Sequence, residues 1–390
     1  MARLLPALDG LPPTFLVGGA VRDLLRGAGS VDLDLAVEGS ARNTARALAQ
    51  RLAGEVREHE RFGTATVAAD GLSFDLAATR RESYERPGAL PVVEPAPLAE
   101  DLGRRDFSIN AMAVGLTGDD LGHLYDPHGG LDDLRAGVVR VLHDRSFIDD
   151  PTRLLRALRY EARLSFGMDE DTEKLALRAI AAGAPATVSG TRIGEELMYL
   201  LGEQEASSAV RRMNELGLDR ALHPALRADA DLVGSAAVVA NIVGADRALA
   251  GLAALVSVDP LALAGWLDEV GLTAPQRDAA LRAASSAPVL AREIRGEVAP
   301  SRLYELLSGE PPESLALALA LGASSEHMLR WVSELSGVRL EIGGDDLLAA
   351  GVPEGPAVGR GLEAALRRKL DGELAGREQE LQAALEAASA

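Results

Sequence analysis

A switch of periodicity near residue 147 constrains this chain more than any other feature. Before it, short apolar runs alternate at period two, the spacing of half-buried strands, and are separated by turn-forming residues. Thr14–Val17, Val31–Val37, Thr64–Ala69, Ser73–Ala77 and Ala111–Leu116 are the predicted strands, and Ser40 is placed to cap a helix ending near Gly54. Beyond Phe147 the apolar residues recur at helical spacing, beginning with Pro151–Phe166. The remainder is Ala/Leu-rich, with Gly and Pro breaks at 182–185, 223–224, 274–275, 309–312 and 351–356. Aromatic residues make up only 3%, which favours helices packed through aliphatic side chains. A chain of 390 residues calls for more than one core. The expected fold is therefore an α+β head (1–142) followed by an all-helical neck (143–204), body (205–335) and tail (336–390).

Composition removes several classes of function. There is no cysteine, so disulfides and Cys-ligated zinc are excluded. Asp9 and Gly10 interrupt the apolar start of the chain, and no run approaches the ~18 residues of a membrane span. A soluble, cytoplasmic chain is expected. The net charge of −19 opposes a nucleic-acid partner unless arginines are concentrated somewhere. They are: residues 145–163 hold five arginines against three acids. The six histidines are scattered and read as structural.

The head carries two features that belong together chemically. Gly18-Gly19 ends the first strand and opens a helix bearing Arg22, an arrangement that lets backbone N–H groups and a cation approach a phosphate. About a dozen residues later, Asp32-Leu33-Asp34 puts two carboxylates on one face of a strand. Their mutual repulsion is relieved by a hard divalent cation such as Mg²⁺. Asp75, on a further predicted strand, is the candidate third ligand. A phosphate cradle beside a metal pair is what phosphoryl transfer requires.

Five ordered motifs carry a resemblance. The run from Leu16 to Asp23 with Gly27 and Asp32-Leu33-Asp34 resembles the first motif of class II tRNA nucleotidyltransferases and bacterial poly(A) polymerases. Arg104–Ala111 is similar to their ribose-recognition motif and Asp126–Leu134 to their hinge motif. Asp149–Tyr160 is similar to their nucleotide-templating helix, and Gly190–Leu197 to their fifth motif. The resemblance implies attack by an RNA 3′-hydroxyl on the α-phosphate of CTP or ATP, with tRNA as the partner and Mg²⁺ as the cofactor. Asp32 and Asp34 would be catalytic, while Gly18, Gly19, Arg22, Arg156 and Arg159 would hold the triphosphate. Arg105, Asp106 and Asn110 can donate to and accept from ribose hydroxyls.

Asp150 and Arg153 are three apart, so on a helix they share a face, either as an ion pair or as a reader of a base edge. An acceptor-only carboxylate beside a fork of donors suits both cytosine and adenine. The resemblance implies the second role. Asp149 stands where the family commonly has Glu, and is expected to support the helix. In the tail, the stretch 345–359, with its Gly-rich loop, precedes Arg360, Arg367, Arg368 and Lys369, which are the expected RNA contacts. Full CCA addition, A-only or CC-only addition, poly(A) synthesis and a non-catalytic tRNA-binding or chaperone role remain open. The segment 80–97 occupies the place of the family's flexible loop and argues against CC-only addition.

Overall fold

The computed structural model describes residues 3–28, 33–59, 63–69 and 71–389. The chain divides into two compact units, residues 1–196 with 215–222, and residues 197–214 with 223–390.

In the first unit, α1 (Leu4–Ala7) precedes β1 (Thr14–Val17), α2 (Gly19–Leu25), β2 (Leu33–Val37), α3 (Ala41–Leu52) and β3 (Glu55–His59). Then come β4 (Thr64–Ala69), β5 (Leu72–Ala78), β6 (Arg80–Ser83), β7 (Val92–Pro95), α4 (Leu98–Gly103), β8 (Ala113–Gly115), β9 (Leu124–Tyr125) and α5 (Gly130–Ala136). The run of short elements gives way to α6 (Ser146–Asp149), α7 (Thr152–Leu164), α8 (Glu170–Ala181) and the first half of α9 (Gly190–Gly202). Seven strands form one sheet in the order β3-β4-β5-β2-β1-β8-β9. Only β2 and β5 run parallel; the other pairs in this sheet are antiparallel.

The apolar alternation dictates this arrangement. Every residue of β1 is buried, and Phe15 and Val17 pack with Ala36, Leu98, Leu102 and Ala113 in one cluster under the sheet centre. Ser40 caps α3 as the sequence predicts, its side chain accepting from the Asn43 amide. β3 was not foreseen because Glu-Val-Arg-Glu-His is largely exposed and charged, the composition of a protected sheet edge. The segment 80–97, in the place of the family's flexible loop, forms an antiparallel ribbon of β6 and β7. Arg81 and Glu94, opposite one another in its register, form an ion pair at 2.8 Å. The predicted strand at 111–116 shortens to β8, preceded by a 3₁₀ turn at Ser108–Asn110.

Head and neck residues share one unit because α7 is tied to the ribose-type motif. Phe107 and Tyr160 pack edge to face at 5.7 Å, and Arg153 Nη2 donates to the Arg104 carbonyl at 2.7 Å. The described part of the second unit is helical. Its longest helix, Ala274–Glu293, buries Ala280, Ala283, Ala284 and Ala287, small side chains that permit close helix packing. Near the C-terminus, helices Pro356–Leu370 and Arg377–Ala388 meet so closely that a Cβ on Gly361 would lie 2.6 Å from the Ala384 carbonyl oxygen. Among the described residues, no helix is long and apolar enough to cross a membrane.

Candidate active site

A cavity of about 650 Å³ opens in the first unit, and most of the residues singled out in the sequence converge on it. Gly18, Gly19, Arg22, Asp34, Arg105, Asp106, Asn110, Asp150, Arg153 and Arg156 all line it. Asp149 and Arg159 are not among its lining residues, and Asp32 lies outside the described residues.

The turn from β1 into α2 depends on glycine twice over. Gly18 has φ of +68°, the left-handed region, and a Cβ there would come within 3.0 Å of Arg105 Nη1. Arg22, one turn into α2, is only 3% exposed, and each of its three guanidinium nitrogens already donates a hydrogen bond. Nε and Nη2 grip the two oxygens of Asp23 at 2.9 and 3.0 Å, and Nη1 donates to Asn110 Oδ1 at 2.8 Å. Arg22 thus supplies positive potential to the cavity and braces its floor.

The floor is a chain of charge-assisted bonds. Asn110 Nδ2 donates to Asp106 Oδ1 at 3.1 Å, which also accepts from the Phe107 amide at 2.8 Å. Asp106 Oδ2 accepts from Nε and Nη2 of Arg156 at 2.9 and 2.6 Å, and Arg156 Nη1 continues to Glu196 at 2.8 Å. Burial alone would raise the Asp106 carboxyl, but Arg156 and then Asn110 outweigh it and hold the group down to about 2. Tyr160 sits among three guanidinium groups, with Arg22, Arg159 and Arg156 at 5.3, 5.5 and 5.8 Å from its ring centre. Arg156 and Arg159, the arginines suggested for the triphosphate, also pair with Glu196 at 2.8 and 3.4 Å.

Around Asp150 the structure corrects the helical reading. Asp149 ends α6, Asp150 is extended (φ −134°, ψ 91°), and α7 begins only at Thr152 because Pro151 intervenes. Among the described residues, Asp150 and Arg153 form no ion pair with each other; each has partners elsewhere. Asp150 Oδ1 accepts from the Thr152 amide and hydroxyl at 3.1 and 2.6 Å and from Arg192 Nη2 at 2.8 Å. Arg153, 5% exposed, donates to Ser146 Oγ at 2.6 Å and to the Arg104 carbonyl at 2.7 Å. Both side chains are held by these partners, and both residues line the cavity. Asp149 instead pairs with Arg145 at 2.9 Å.

The same cavity is lined by Glu82 and Tyr84 from β6 and the residue after it. Glu82 accepts from Arg104 at 2.8 Å and from Tyr84 Oη at 3.1 Å, and burial pushes the Tyr84 phenol up to about 12. Asp101, 1% exposed, receives both Arg104 and Arg105. Sequence reasoning missed these supports, as it missed Arg192 and Glu196. The signals were a tyrosine in a chain poor in aromatics and an Arg and Glu four apart in Gly190–Leu197.

An adjoining cavity of about 290 Å³ shares Asp34, Arg104 and Arg105 and adds Asp75, His59 and Thr66. Asp34 and Asp75 are register partners on the parallel strands β2 and β5, which places both on the same face of adjacent strands, and both line this cavity. Two hard oxygen donors on one face of adjacent strands suit a divalent cation. Among the described residues no larger cluster of His, Asp or Glu forms a metal site.

In the second unit the basic cluster is divided. Lys369 is structural: it donates to Glu380, which is fully buried, at 2.6 Å and to the Arg339 carbonyl at 2.8 Å. Arg367 pairs with Glu305 at 2.6 Å and Arg368 with Glu373 at 3.0 Å. All three sit in the last helical turn, where cations also complement the helix dipole. Arg360 is exposed near the start of that helix.

Residues 14–140 match the poly A polymerase head domain, and residues 165–229 match a probable RNA and SrmB-binding site of polymerase A. A CC-adding tRNA nucleotidyltransferase of Deinococcus radiodurans is 35% identical over 89% of this chain and 82% of its own length. This chain belongs to the tRNA nucleotidyltransferase family. An A-adding tRNA nucleotidyltransferase of Geobacter sulfurreducens is 36% identical over 96% of this chain. The chain spans less than half of that relative and of two other A-adding tRNA nucleotidyltransferases, 45%, 49% and 23% of their lengths. A solved structure of the Thermotoga maritima CCA-adding enzyme complexed with tRNA superposes with a TM-score of 0.76 at 32% identity, covering 96% of this chain and 91% of that one. A CCA-adding enzyme in an apo form gives 0.84 at 32% identity, covering the same shares.

Proposed function

We propose that this chain adds C and/or A nucleotides from CTP and ATP to the 3′ end of tRNA, without a nucleic-acid template, releasing pyrophosphate. The observation that carries the reading is the pose of Asp150 and Arg153. Each is fixed by its partners, and each keeps hydrogen-bonding capacity for the cavity. A protein that merely bound tRNA would have no use for an acceptor and a donor fork so held above a triphosphate-sized cavity.

The parts then divide the work. The Gly18-Gly19 turn would present backbone N–H groups to the triphosphate, within the positive potential of Arg22 and Arg105. Asp106 would orient the ribose, its charge secured by Arg156, while Asn110 carries that constraint to Arg22. Asp34, with Asp75 beside it and Asp32 two residues earlier, would hold Mg²⁺. When bound, the cation lowers the cost of charge on the phosphates and acidifies the attacking hydroxyl. Arg360 and Arg368 would contact tRNA phosphates. As a tRNA-processing enzyme the protein would work in the cytoplasm.

A-only addition is the second reading, favoured by the A-adding Geobacter relative that matches 96% of this chain. Incubating tRNAs that end before the first C, after the first C and after the second C with single nucleotides decides the matter. Extension of all three substrates by the appropriate nucleotide supports full CCA addition. Extension of the last alone, by ATP, supports A-addition. Extension of none refutes the proposal.

A further inference from the structure

Four neighbouring strands carry a row of polar side chains that ends at the candidate metal pair. β3 and β4 are antiparallel with His59 opposite Thr64, which makes Thr66 the diagonal neighbour of His59. Thr66 in turn lies opposite Asp75, and Asp75 beside Asp34. The side chains make the contacts that the register allows. His59 Nε2 is 3.2 Å from Thr66 Oγ1, and Thr66 Oγ1 is 2.5 Å from Asp75 Oδ1. All four residues line the same small cavity.

The direction of these bonds follows from their chemistry. An ionised carboxylate only accepts, so the single hydroxyl proton of Thr66 goes to Asp75. Thr66 Oγ1 must then accept, which requires a proton on His59 Nε2. The row therefore runs one way, from His59 through Thr66 into Asp75 Oδ1. Asp75 is exposed on its strand, and without this tie its carboxylate would be free to turn about χ1 and χ2.

We propose that His59 and Thr66 are positioning residues that fix the Asp75 carboxylate beside Asp34, leaving Asp75 Oδ2 for the cation. The inference rests on reading Asp34 as part of the nucleotide-transfer centre, and it gives one histidine a purpose that the sequence did not suggest. Groups that orient a metal-bound carboxylate commonly matter almost as much as the carboxylate itself.

The test uses the full chain, with Mn²⁺ as the probe cation, bound Mn²⁺ being followed by the loss of the free-ion paramagnetic resonance signal. Thr66→Val should weaken Mn²⁺ affinity and lower kcat by roughly ten- to hundredfold. The KM for the nucleotide should stay within about twofold, because the triphosphate cradle is untouched. Thr66→Ser restores the hydroxyl and should restore both readouts. His59→Gln, which keeps an N–H donor, should stay near wild type, whereas His59→Leu should fall. A folded Thr66→Val with unchanged Mn²⁺ affinity and kcat overturns the proposal, as does failure of Thr66→Ser to rescue. If Thr66→Val does not fold, His59→Leu against His59→Gln gives the same comparison. Mn²⁺ affinity is measured without RNA or nucleotide, so it decides the row even if the wild type adds no nucleotide, a result that would instead refute the proposed function.

Discussion

Replacing Asp106 by Asn isolates the charge at the centre of the cavity floor while keeping the shape of the side chain. In the folded chain the carboxyl is held at about 2, against about 3.9 for an unperturbed Asp. A difference of that size is worth about 2–3 kcal/mol of stability at neutral pH. The substitution also leaves Glu196 as the one anionic partner of Arg156 among the described contacts, so the total loss should be about 2–4 kcal/mol. Because the folded carboxyl ionises more readily than the unfolded one, the stabilisation is complete above about pH 5. It should be roughly halved near pH 3 and vanish as the pH falls through about 2. The gap between wild type and Asp106→Asn must therefore narrow as the solution is acidified. Both tryptophans, Trp266 and Trp331, belong to the second unit, so their fluorescence does not report on this floor. Hydrogen exchange of α7 amides, followed at pH 7 and at pH 3 to 4, does. A gap that stays constant with pH, or no gap at neutral pH, would refute the account of Asp106 as a buried anion secured by Arg156.

Three further outcomes follow from other parts of the site. Asp34→Ala should reduce nucleotide addition by at least roughly a thousandfold while leaving tRNA binding in a filter assay unchanged; retained activity would remove Asp34 from the metal site. Gly88 has φ of +69°, and a Cβ there would lie 2.5 Å from the Thr187 carbonyl oxygen, so Gly88→Ala should expose the β6–β7 ribbon to limited proteolysis, and an unchanged cleavage rate would contradict the docking seen here. In the tail, Lys369→Ala should lower the melting temperature by removing the partner of Glu380, whereas Arg360→Ala should leave it unchanged and shallow the salt dependence of tRNA binding by about one ion. The reverse pattern would exchange their roles.

Most strands of the head were legible: β4 and β5 bury alternate residues, which writes period two into the sequence, and β1, buried throughout, shows as a short apolar run. β3 and the β6–β7 ribbon were not, since their pairing relies on backbone bonds and exposed charge pairs such as Arg81–Glu94. The lining of the cavity was legible where chemistry restricts the residue type, at Gly18, Asp34, Asp106, Asp150 and Arg153. What supports those residues was much less so. Arg192 reaches Asp150 from 42 positions away and Arg104 reaches Arg153 from 49, and no local pattern encodes such contacts. The helical reading of Asp149–Arg156 failed at Asp150, which is extended between α6 and α7 because Pro151 follows it. The basic tail illustrates the opposite error. A cluster of cations reads as an RNA surface, yet Lys369 is spent on a buried glutamate that lies eleven residues later.

The central claim is that side chains choose the nucleotide, and single-nucleotide addition tests it most directly. Each of the four triphosphates is offered alone to a tRNA with a truncated 3′ end, using wild type and Arg153→Ala. Leaving the fixed Asp150 carboxylate and Arg153 fork opposite mismatched groups costs about 1–3 kcal/mol per contact, so wild type should reject UTP and GTP by roughly a hundredfold or more. Arg153→Ala, shown to be folded by its melting curve, should slow addition and narrow the CTP:UTP and ATP:GTP ratios by roughly tenfold or more. A folded Arg153→Ala that adds nucleotides more slowly with both ratios unchanged would contradict the account.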